Sequence, residues 1–323
     1  MKYLKTPSFY CLLILLISIA CEKEPEIQKE IAKITIEVEI ERFDKLLSKA
    51  NMETLGSIKT DYPFMFTETA QDSTILNQIN DEFERMLFAE VDKAFANTQE
   101  LQSDIAELFR HLTYYIEGFI QPRVITRTSF VDYNNKVVVA DSLALISLDT
   151  YLGESHEFYV DIYKYFSKNM RSEMILSDMA GAYAEYFIPP IRKRTLLDEM
   201  IYYGKVLYFK DLIIPSESDA NKIGYSQEQL DWAGQNESNI WSYFIEEELL
   251  FSTDNKLLPR FINPAPFSKF NLTLDNESPG RLGRYMGWQI VKAYMKRNNV
   301  NLLDLLATDA ETIFNNSKFK PRK

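Results

Sequence analysis

The chain has 323 residues, of which 46% are hydrophobic, so it is long enough to bury a large core. Acidic residues outnumber basic residues by 47 to 36, and no run of basic residues offers a footprint for phosphates. Nucleic acid is therefore not an expected partner. With only two cysteines and two histidines, the composition excludes a disulfide-rich scaffold and restricts any enzyme that needs a histidine base or histidine zinc ligands.

The N-terminus has the pattern of a lipoprotein signal. Lys2 and Lys5 precede an uninterrupted apolar run at 9–20, FYCLLILLISIA, which is too short to span a bilayer. Cys21 follows Ser-Ile-Ala, an order that resembles a bacterial lipobox; an ordinary secretory signal with an incidental cysteine is the alternative. We expect residues 1–20 to be a signal peptide and acyl chains on Cys21 to anchor the protein to a membrane.

The region after Cys21 is predicted to be a short tether followed by one domain. Residues 21–30 are charged and lack apolar periodicity, which indicates a flexible segment. The residues of 33–43 alternate between apolar and polar, which predicts a strand with one buried face. No linker or shift in composition divides the rest, so residues 31–323 are predicted to form a single globular domain.

Helical and strand-like patterns follow each other along this domain. Apolar residues recur at helical spacing over 75–95 and 101–116, which predicts two helices. The β-branched stretch 123–149, broken at 134–135, predicts three strands, and helical patterns return from residue 157 onward. We expect an α+β fold that is mainly helical, with a small, mostly antiparallel sheet.

The stretch 196–209, LLDEMIYYGKVLYF, predicts a helix that begins near Thr195. Asp198, Tyr202 and Lys205 then share one face, at positions i, i+4 and i+7. Gly204 in the helix interior costs about 1 kcal/mol relative to alanine, which indicates that another element approaches the backbone there. A core helix with an acidic first turn is the alternative interpretation.

Two later stretches supply further candidate residues. Glu237 opens the helical stretch QNESNIWSYFIEEELLFSTD, and Gly283 and Gly287 permit close backbone approach within ESPGRLGRYMGWQIVKAYM.

Two arginines in the second of these stretches have two possible roles. Arg281 and Arg284, close to Tyr285, could bind a carboxylate or a peptide terminus by bidentate pairing. They could equally pair with the nearby acids Asp275 and Glu277.

Seven segments together carry a resemblance to a known family. They are RFD (42–44), DYPFMF (61–66), RHLTYYIEGF (110–119), DMAGAYAEYFIPP (178–190), NIWSYFIEEELLFSTD (239–254), RFINPAPFSKF (260–270) and ESPGRLGRYMGWQIVKAYM (277–295). With the lipobox, they resemble the gliding-motility lipoprotein GldB family of the Bacteroidetes. The resemblance implies a lipid-anchored, periplasm-facing protein of the cell envelope that has protein or peptide partners in the gliding and type IX secretion machinery.

That family is in turn similar to predicted zinc peptidases of the gluzincin kind, which carry H-E-x-x-H on one helix and a downstream glutamate ligand. In this resemblance Asp198 and Tyr202 replace the two ligand histidines, Glu199 matches the general base and Glu237 the third ligand. The pair Arg284-Tyr285 matches the substrate-side strip. It implies a zincin-like fold and a pseudo-metallopeptidase with no catalytic residue, metal or cofactor, in which these six residues line a relic cleft that binds a polypeptide without cutting it.

Two other hypotheses remain open. Asp198, Glu199 and Glu237 could bind a hard cation through oxygen atoms and support a working hydrolase. Alternatively, the chain is a purely structural lipoprotein, in which the strip 260–270 is either a contact surface or a loop packed on the core.

Overall fold

The computed structural model describes residues 26–67, 69–191, 193–272 and 275–322. The predicted signal peptide and Cys21 lie outside the described residues. The chain divides into two compact units, residues 1–35 and residues 36–323. In the described part of the first unit, helix α1 spans Glu26–Ile31, within and just beyond the predicted tether. No helix of the described residues combines the length and apolar character that a membrane span needs.

The second unit contains a four-stranded sheet and fifteen α-helices among its described residues. The strands are β1 (Ile40–Arg42), β2 (Arg123–Arg127), β3 (Val137–Val139) and β4 (Leu143–Ser147). The first helices are α2 (Phe43–Leu47), α3 (Leu55–Asp61), α4 (Asp72–Ile79), α5 (Glu82–Ala94), α6 (Gln99–Tyr115), α7 (Lys164–Ser167) and α8 (Ile175–Phe187). The later ones are α9 (Leu196–Ile213), α10 (Asp219–Ile223), α11 (Gln227–Gln235), α12 (Glu237–Glu246), α13 (Leu257–Phe261), α14 (Leu282–Arg297), α15 (Leu302–Ala307) and α16 (Ala310–Ser317). The prediction of an α+β fold that is mainly helical is therefore confirmed.

The expectation of a mostly antiparallel sheet is wrong, because the sheet is mixed. Its order is β1-β2-β4-β3; β1 pairs with β2 and β2 with β4 in parallel, and only β3 and β4 are antiparallel. Between β1 and β2 the chain passes through helices α2 to α6, and such a crossover allows the second strand to run parallel to the first. Strand direction follows from this long connection, which the alternation of residues within a strand does not encode.

The strand predicted over 33–43 is shorter in the structure. Only Ile40–Arg42 pairs, with Val124–Thr126 of β2, although Val38 is buried and Glu37 and Glu39 are exposed as the alternation requires. Continuing the ladder toward residue 38 would place it opposite Pro122, which has no N–H to donate. The alternation therefore predicted the buried face correctly, but the paired segment is shorter than the predicted strand.

Helices α9 and α14 form the central crossing of the helical part. A Cβ atom added at Gly204 would lie 2.4 Å from the carbonyl oxygen of Gly287, and one added at Gly287 would lie 1.7 Å from that of Met200. A Cβ atom at Gly283 would approach the carbonyl oxygen of Phe261 at 2.9 Å. The close backbone approach expected at these glycines is confirmed, and it fixes the position of α9.

The strip 260–270 packs largely on the core. Phe261 and Phe270 are buried, and their rings contact each other at 5.2 Å between centroids. Both rings also contact Phe244 of α12. Of the two alternatives for this strip, the structure therefore favours the buried loop over the contact surface.

Candidate ligand-binding cleft

Helix α9 begins at a capping box that uses the side chain of Asp198. The Oγ1 atom of Thr195 accepts a hydrogen bond from the backbone N–H of Asp198 at 3.1 Å. In return, the Oδ2 atom of Asp198 accepts from the backbone N–H of Thr195 at 2.9 Å and from its hydroxyl at 2.5 Å. The helix therefore begins where the sequence predicts, and the carboxylate of Asp198 stabilises the helix N-terminus.

A cleft of about 610 Å³ lies along the first half of α9. One wall is the face of α9 that carries Asp198, Ile201, Tyr202 and Lys205. The facing walls are residues 188–191 with Lys193, which follow α8, and residues 306–311 at the junction of α15 and α16. Asp198, Tyr202 and Lys205 thus share a face, as their spacing predicts.

The ammonium group of Lys205, on the α9 wall of the cleft, binds the wall formed by residues 306–311. This side chain is only 7% exposed, and its Nζ atom donates to the carbonyl oxygens of Leu306 at 2.8 Å and Thr308 at 2.5 Å. Burial lowers its pKa to about 8, because the charged form loses hydration. The hydrogen bonds hold the C-terminal end of α15 against α9.

Tyr202 contributes a neutral hydroxyl and an aromatic surface. It is half-buried, and its ring packs edge-on against Tyr203, with centroids 5.2 Å apart. Burial raises its pKa to about 12, so the phenol stays protonated at neutral pH. At Tyr202 the cleft therefore has an amphipathic wall.

Glu199 and Arg284 lie beside the cleft and not among the described residues that line it. Burial raises the pKa of the Glu199 carboxyl, and the positive charge of Arg284 opposes that shift. The guanidinium carbon of Arg284 lies 3.6 Å from the ring centroid of Tyr203, and its Nε atom donates to the carbonyl oxygen of Ile262 at 2.6 Å. Arg281 donates to the carbonyl oxygen of Gly224, so among the described residues both arginines bind carbonyl oxygens and neither pairs with Asp275 or Glu277.

Glu237 and Tyr285 form a third, separate group. Glu237 is 1% exposed at the start of α12, and its Oε2 atom accepts a hydrogen bond from the Tyr285 hydroxyl at 3.0 Å. Its Oε1 atom accepts from the backbone N–H of Arg322 at 2.9 Å. Burial raises the pKa of Tyr285, as does the neighbouring carboxylate. This carboxylate ties α12, α14 and the C-terminal segment together.

The structure thus distributes the six predicted residues over three places. Asp198 and Tyr202 line the cleft, Glu199 lies near Arg284, and Glu237 bonds to Tyr285. In the described part of the chain, no three His, Cys, Asp or Glu side chains come together in a way that could hold a metal ion.

The two histidines lie at other contacts. His111 bonds to the carbonyl oxygen of Leu212, and His156 approaches Glu90.

The sequence did not predict that residues 306–311 form a wall of the cleft. This wall contributes the carbonyl oxygens that hold Lys205 and the acidic side chains Asp309 and Glu311. About a hundred residues separate it from α9, and no local motif signals that the two meet. Lys205, in the middle of a helix whose neighbouring residues 204, 206 and 207 are buried, is a hint that a polar partner must be supplied from elsewhere.

Comparison with known proteins identifies the family of this chain. Residues 24–321 match the family described as gliding motility protein GldB, which is nearly the whole chain after Cys21. The chain therefore belongs to the GldB family of gliding-motility lipoproteins. No curated protein and no solved structure matches it. The resemblance to zinc peptidases stays a prediction.

Proposed function

We propose that this lipoprotein is a non-catalytic binding component of the gliding apparatus. In this proposal a lipid on Cys21 anchors it in the cell envelope with its domain facing the periplasm. The cleft along α9 then holds an extended polypeptide segment of a partner from the gliding and type IX secretion machinery. The observation that carries the proposal is that Asp198 and Tyr202, which would stand at the two ligand positions of a zinc-peptidase helix, line one cleft of about 610 Å³.

The hydrogen bonds of the carboxylates support binding without cutting. Asp198 is committed to the N-terminus of α9, and Glu237 is committed to Tyr285 and Arg322. A metal would need to displace these internal partners, and Tyr202 would be a poor neutral ligand in place of imidazole. The arrangement favours shape and hydrogen bonding over the activation of water.

The shape of the cleft suits a polypeptide. Pro189 and Pro190 give one wall a rigid, apolar surface, and Tyr202 presents both a ring and a hydroxyl. An ion pair of 2.8 Å between Lys193 and Glu311 joins two rims of the cleft. Both side chains are exposed, so this contact contributes little and is easily replaced by contacts with a ligand.

A substitution in the cleft tests the proposal in cells. The full-length Tyr202→Ala protein replaces the native copy, and colony spreading is measured together with the amount of protein in the membrane. Tyr114→Ala is the matched control, since Tyr114 is exposed on α6 and does not line the cleft. We expect Tyr202→Ala to reduce spreading at normal abundance and Tyr114→Ala to leave it unchanged. Equal spreading by both variants at equal abundance would refute the proposal.

A further inference from the structure

Two further cavities share lining residues with each other and, among the described residues, none with the cleft along α9. The first, of about 300 Å³, is bounded by α7, by Tyr225 and Gln229, and by the segments around Pro264 and Arg281. The second, of about 270 Å³, shares Tyr165, Pro264 and Arg281 with the first. Because they share three lining residues, we treat the two cavities as one site, here named the basic pocket.

The basic pocket collects positive charge in an acidic protein. The basic side chains that line it are Lys136, Lys164, Lys168, Lys210, Lys222 and Arg281. Among the described lining residues, Asp178 is the one carboxylate. The whole chain has 47 acidic and 36 basic residues, so this local excess opposes the overall balance.

Two of these lysines are neutralised by acids. Lys136 forms an ion pair with Asp178, and Lys222 lies 3.2 Å from carboxylate oxygens of both Asp211 and Asp219. The carboxylates near the pocket are thus already occupied by two of the lysines. The other four cations, Lys164, Lys168, Lys210 and Arg281, have no carboxylate within 4.0 Å in the described part of the chain.

Arg281 occupies the shared boundary of the two cavities in an uncommon backbone conformation. Its φ of 62° is left-handed, a region that non-glycine residues seldom adopt and that is associated with functional positions. Its Nη2 atom donates to the carbonyl oxygen of Gly224 at 2.8 Å, and its guanidinium carbon lies 5.6 Å from the ring centroid of Tyr225. The fold therefore holds this cation at the boundary by a neutral acceptor and an aromatic ring.

The buried lysines of the pocket also have neutral partners. The Nζ atom of Lys168 donates to Oε1 of Gln229 at 2.7 Å, and that of Lys210 donates to Oγ of Ser177 and the carbonyl oxygen of Lys222, both at 3.0 Å. Burial is the main cause that lowers the pKa of each lysine to about 8; the charge of Arg281 acts in the same direction on both, and Asp178 opposes the shift at Lys210. Positive charges that repel each other in a cavity are stabilised by an anion that enters it.

We propose that the basic pocket binds an oxoanion with two negative charges, either inorganic phosphate or the phosphate group of an organic monoester. Arg281, Lys164 and Lys168 supply charge-assisted donors around the first cavity, and three cations match a dianion better than a single carboxylate. Tyr165, Tyr225 and the two prolines of the 264–266 segment provide an apolar surface for the organic part of a monoester. This site is separate from the cleft along α9, so either can exist without the other.

Titration calorimetry on the full-length protein in detergent tests the proposal. Inorganic phosphate and phenyl phosphate are titrated near neutral pH against sodium chloride of the same ionic strength. We expect both to bind, and phenyl phosphate to bind more tightly because its ring contacts the aromatic wall. If only inorganic phosphate binds, the assignment of an organic ligand is wrong and the oxoanion site stands.

Two lysine variants test whether the binding measured by calorimetry occurs in this pocket. Removing one charge-assisted donor should weaken phosphate binding by about tenfold in Lys168→Gln. Lys164→Gln, at an exposed position with no effect on the core, should weaken it in the same direction. Lys256→Gln is the matched control, since Lys256 is exposed and does not line the pocket. The proposal is overturned if wild-type protein gives no heat beyond that of chloride, or if both pocket variants bind phosphate as tightly as the control.

Discussion

The cleft along α9 and the basic pocket place buried lysines in opposite situations. Lys205 and Lys210 lie on the same helix, and burial lowers the pKa of both to about 8. Lys205 donates to two carbonyl oxygens at the end of α15, and the nearby acid Asp309 favours its charged form, while Asp198 is used by the helix cap. Lys210 lies in a cavity that Lys136 and Arg281 also line, and its partners are a hydroxyl and one carbonyl oxygen.

The difference shows what distinguishes a structural charge from a recognition charge. A buried lysine at a helix C-terminus is stabilised by the carbonyl groups that the helix leaves unpaired. A group of cations with neutral partners is stabilised only when a counter-charge arrives. We therefore expect the cleft to select its ligand by shape and the basic pocket to select its ligand by charge.

The largest effect should come from the helix crossing on which both sites depend. Gly287→Ala places a Cβ atom 1.7 Å from the carbonyl oxygen of Met200, so α9 and α14 must separate. We expect the free energy of unfolding to fall by about 4 kcal/mol or more. Phosphate binding and gliding should be lost as well, because both sites depend on this helix crossing. Chemical denaturation measures the stability.

Gly56→Ala is the control for this substitution. No atom lies within 4 Å of the new Cβ position at Gly56, so the variant should gain about 0.5–1 kcal/mol from helix propensity in α3. If Gly287→Ala is as stable as Gly56→Ala, the close helix crossing is wrong.

The second effect is a dependence of stability on pH. Lys205 and Lys210 have folded-state pKa values near 8, below the ordinary value of 10.5, so the unfolded chain binds more protons between these values. The free energy of unfolding should therefore rise as the pH increases from about 8 to about 10, by up to about 3 kcal/mol per lysine. Urea denaturation across this range measures the rise, and Lys210→Met should reduce its slope. An equal slope in that variant would contradict the assignment of a lowered pKa to Lys210.

A smaller effect should follow from loss of the capping box. Thr195→Ala removes the hydroxyl that accepts from the Asp198 N–H and should cost about 1 kcal/mol. Thr98→Ala is a matched control, because Thr98 is the N-cap of α6 and its side chain makes no capping hydrogen bond. Thermal denaturation compares the two. Equal midpoint temperatures for the two variants would show that the capping box does not stabilise α9. Asp198 would then be free for another role, which would weaken the distinction between the two sites.

The smallest effect concerns the ion pair across the rims of the cleft. Glu311→Gln breaks the contact with Lys193, and because both side chains are exposed to solvent, the stability should hardly change. Binding of a polypeptide should be retained or improved, since the rims separate more easily. A large loss of stability, measured by denaturation, would mean that these rims are rigidly closed.

The features that the sequence predicted well have local causes. Apolar spacing located the helical regions, although the helix predicted over 75–95 is two helices, α4 and α5, because Asp81 caps the start of α5. The β-branched residues located β2, β3 and β4. Thr195 marked the start of α9, and Gly204 and Gly287 marked the helix crossing because glycine within a helix is costly without a packing reason.

The features that it did not predict depend on residues far apart in the chain. The predicted strand direction was wrong because β1 and β2 are joined by a long helical crossover, and because β4 rather than β3 of the antiparallel β3–β4 pair lies beside β2. No run of basic residues predicted a phosphate site, yet the fold brings Lys168, Lys210 and Arg281 to one pocket. The cleft needed residues 306–311, and nothing near α9 in sequence signals them.

The most direct test of the central proposal is a peptide-library assay on the full-length lipoprotein. Peptides that are retained are eluted and their masses are measured. We expect wild-type protein to retain intact peptides, Tyr202→Ala to lose them, and Glu199→Gln to keep them. Cleaved peptides that disappear in Glu199→Gln, with stoichiometric metal in the wild-type protein, would contradict the proposal and show a working hydrolase.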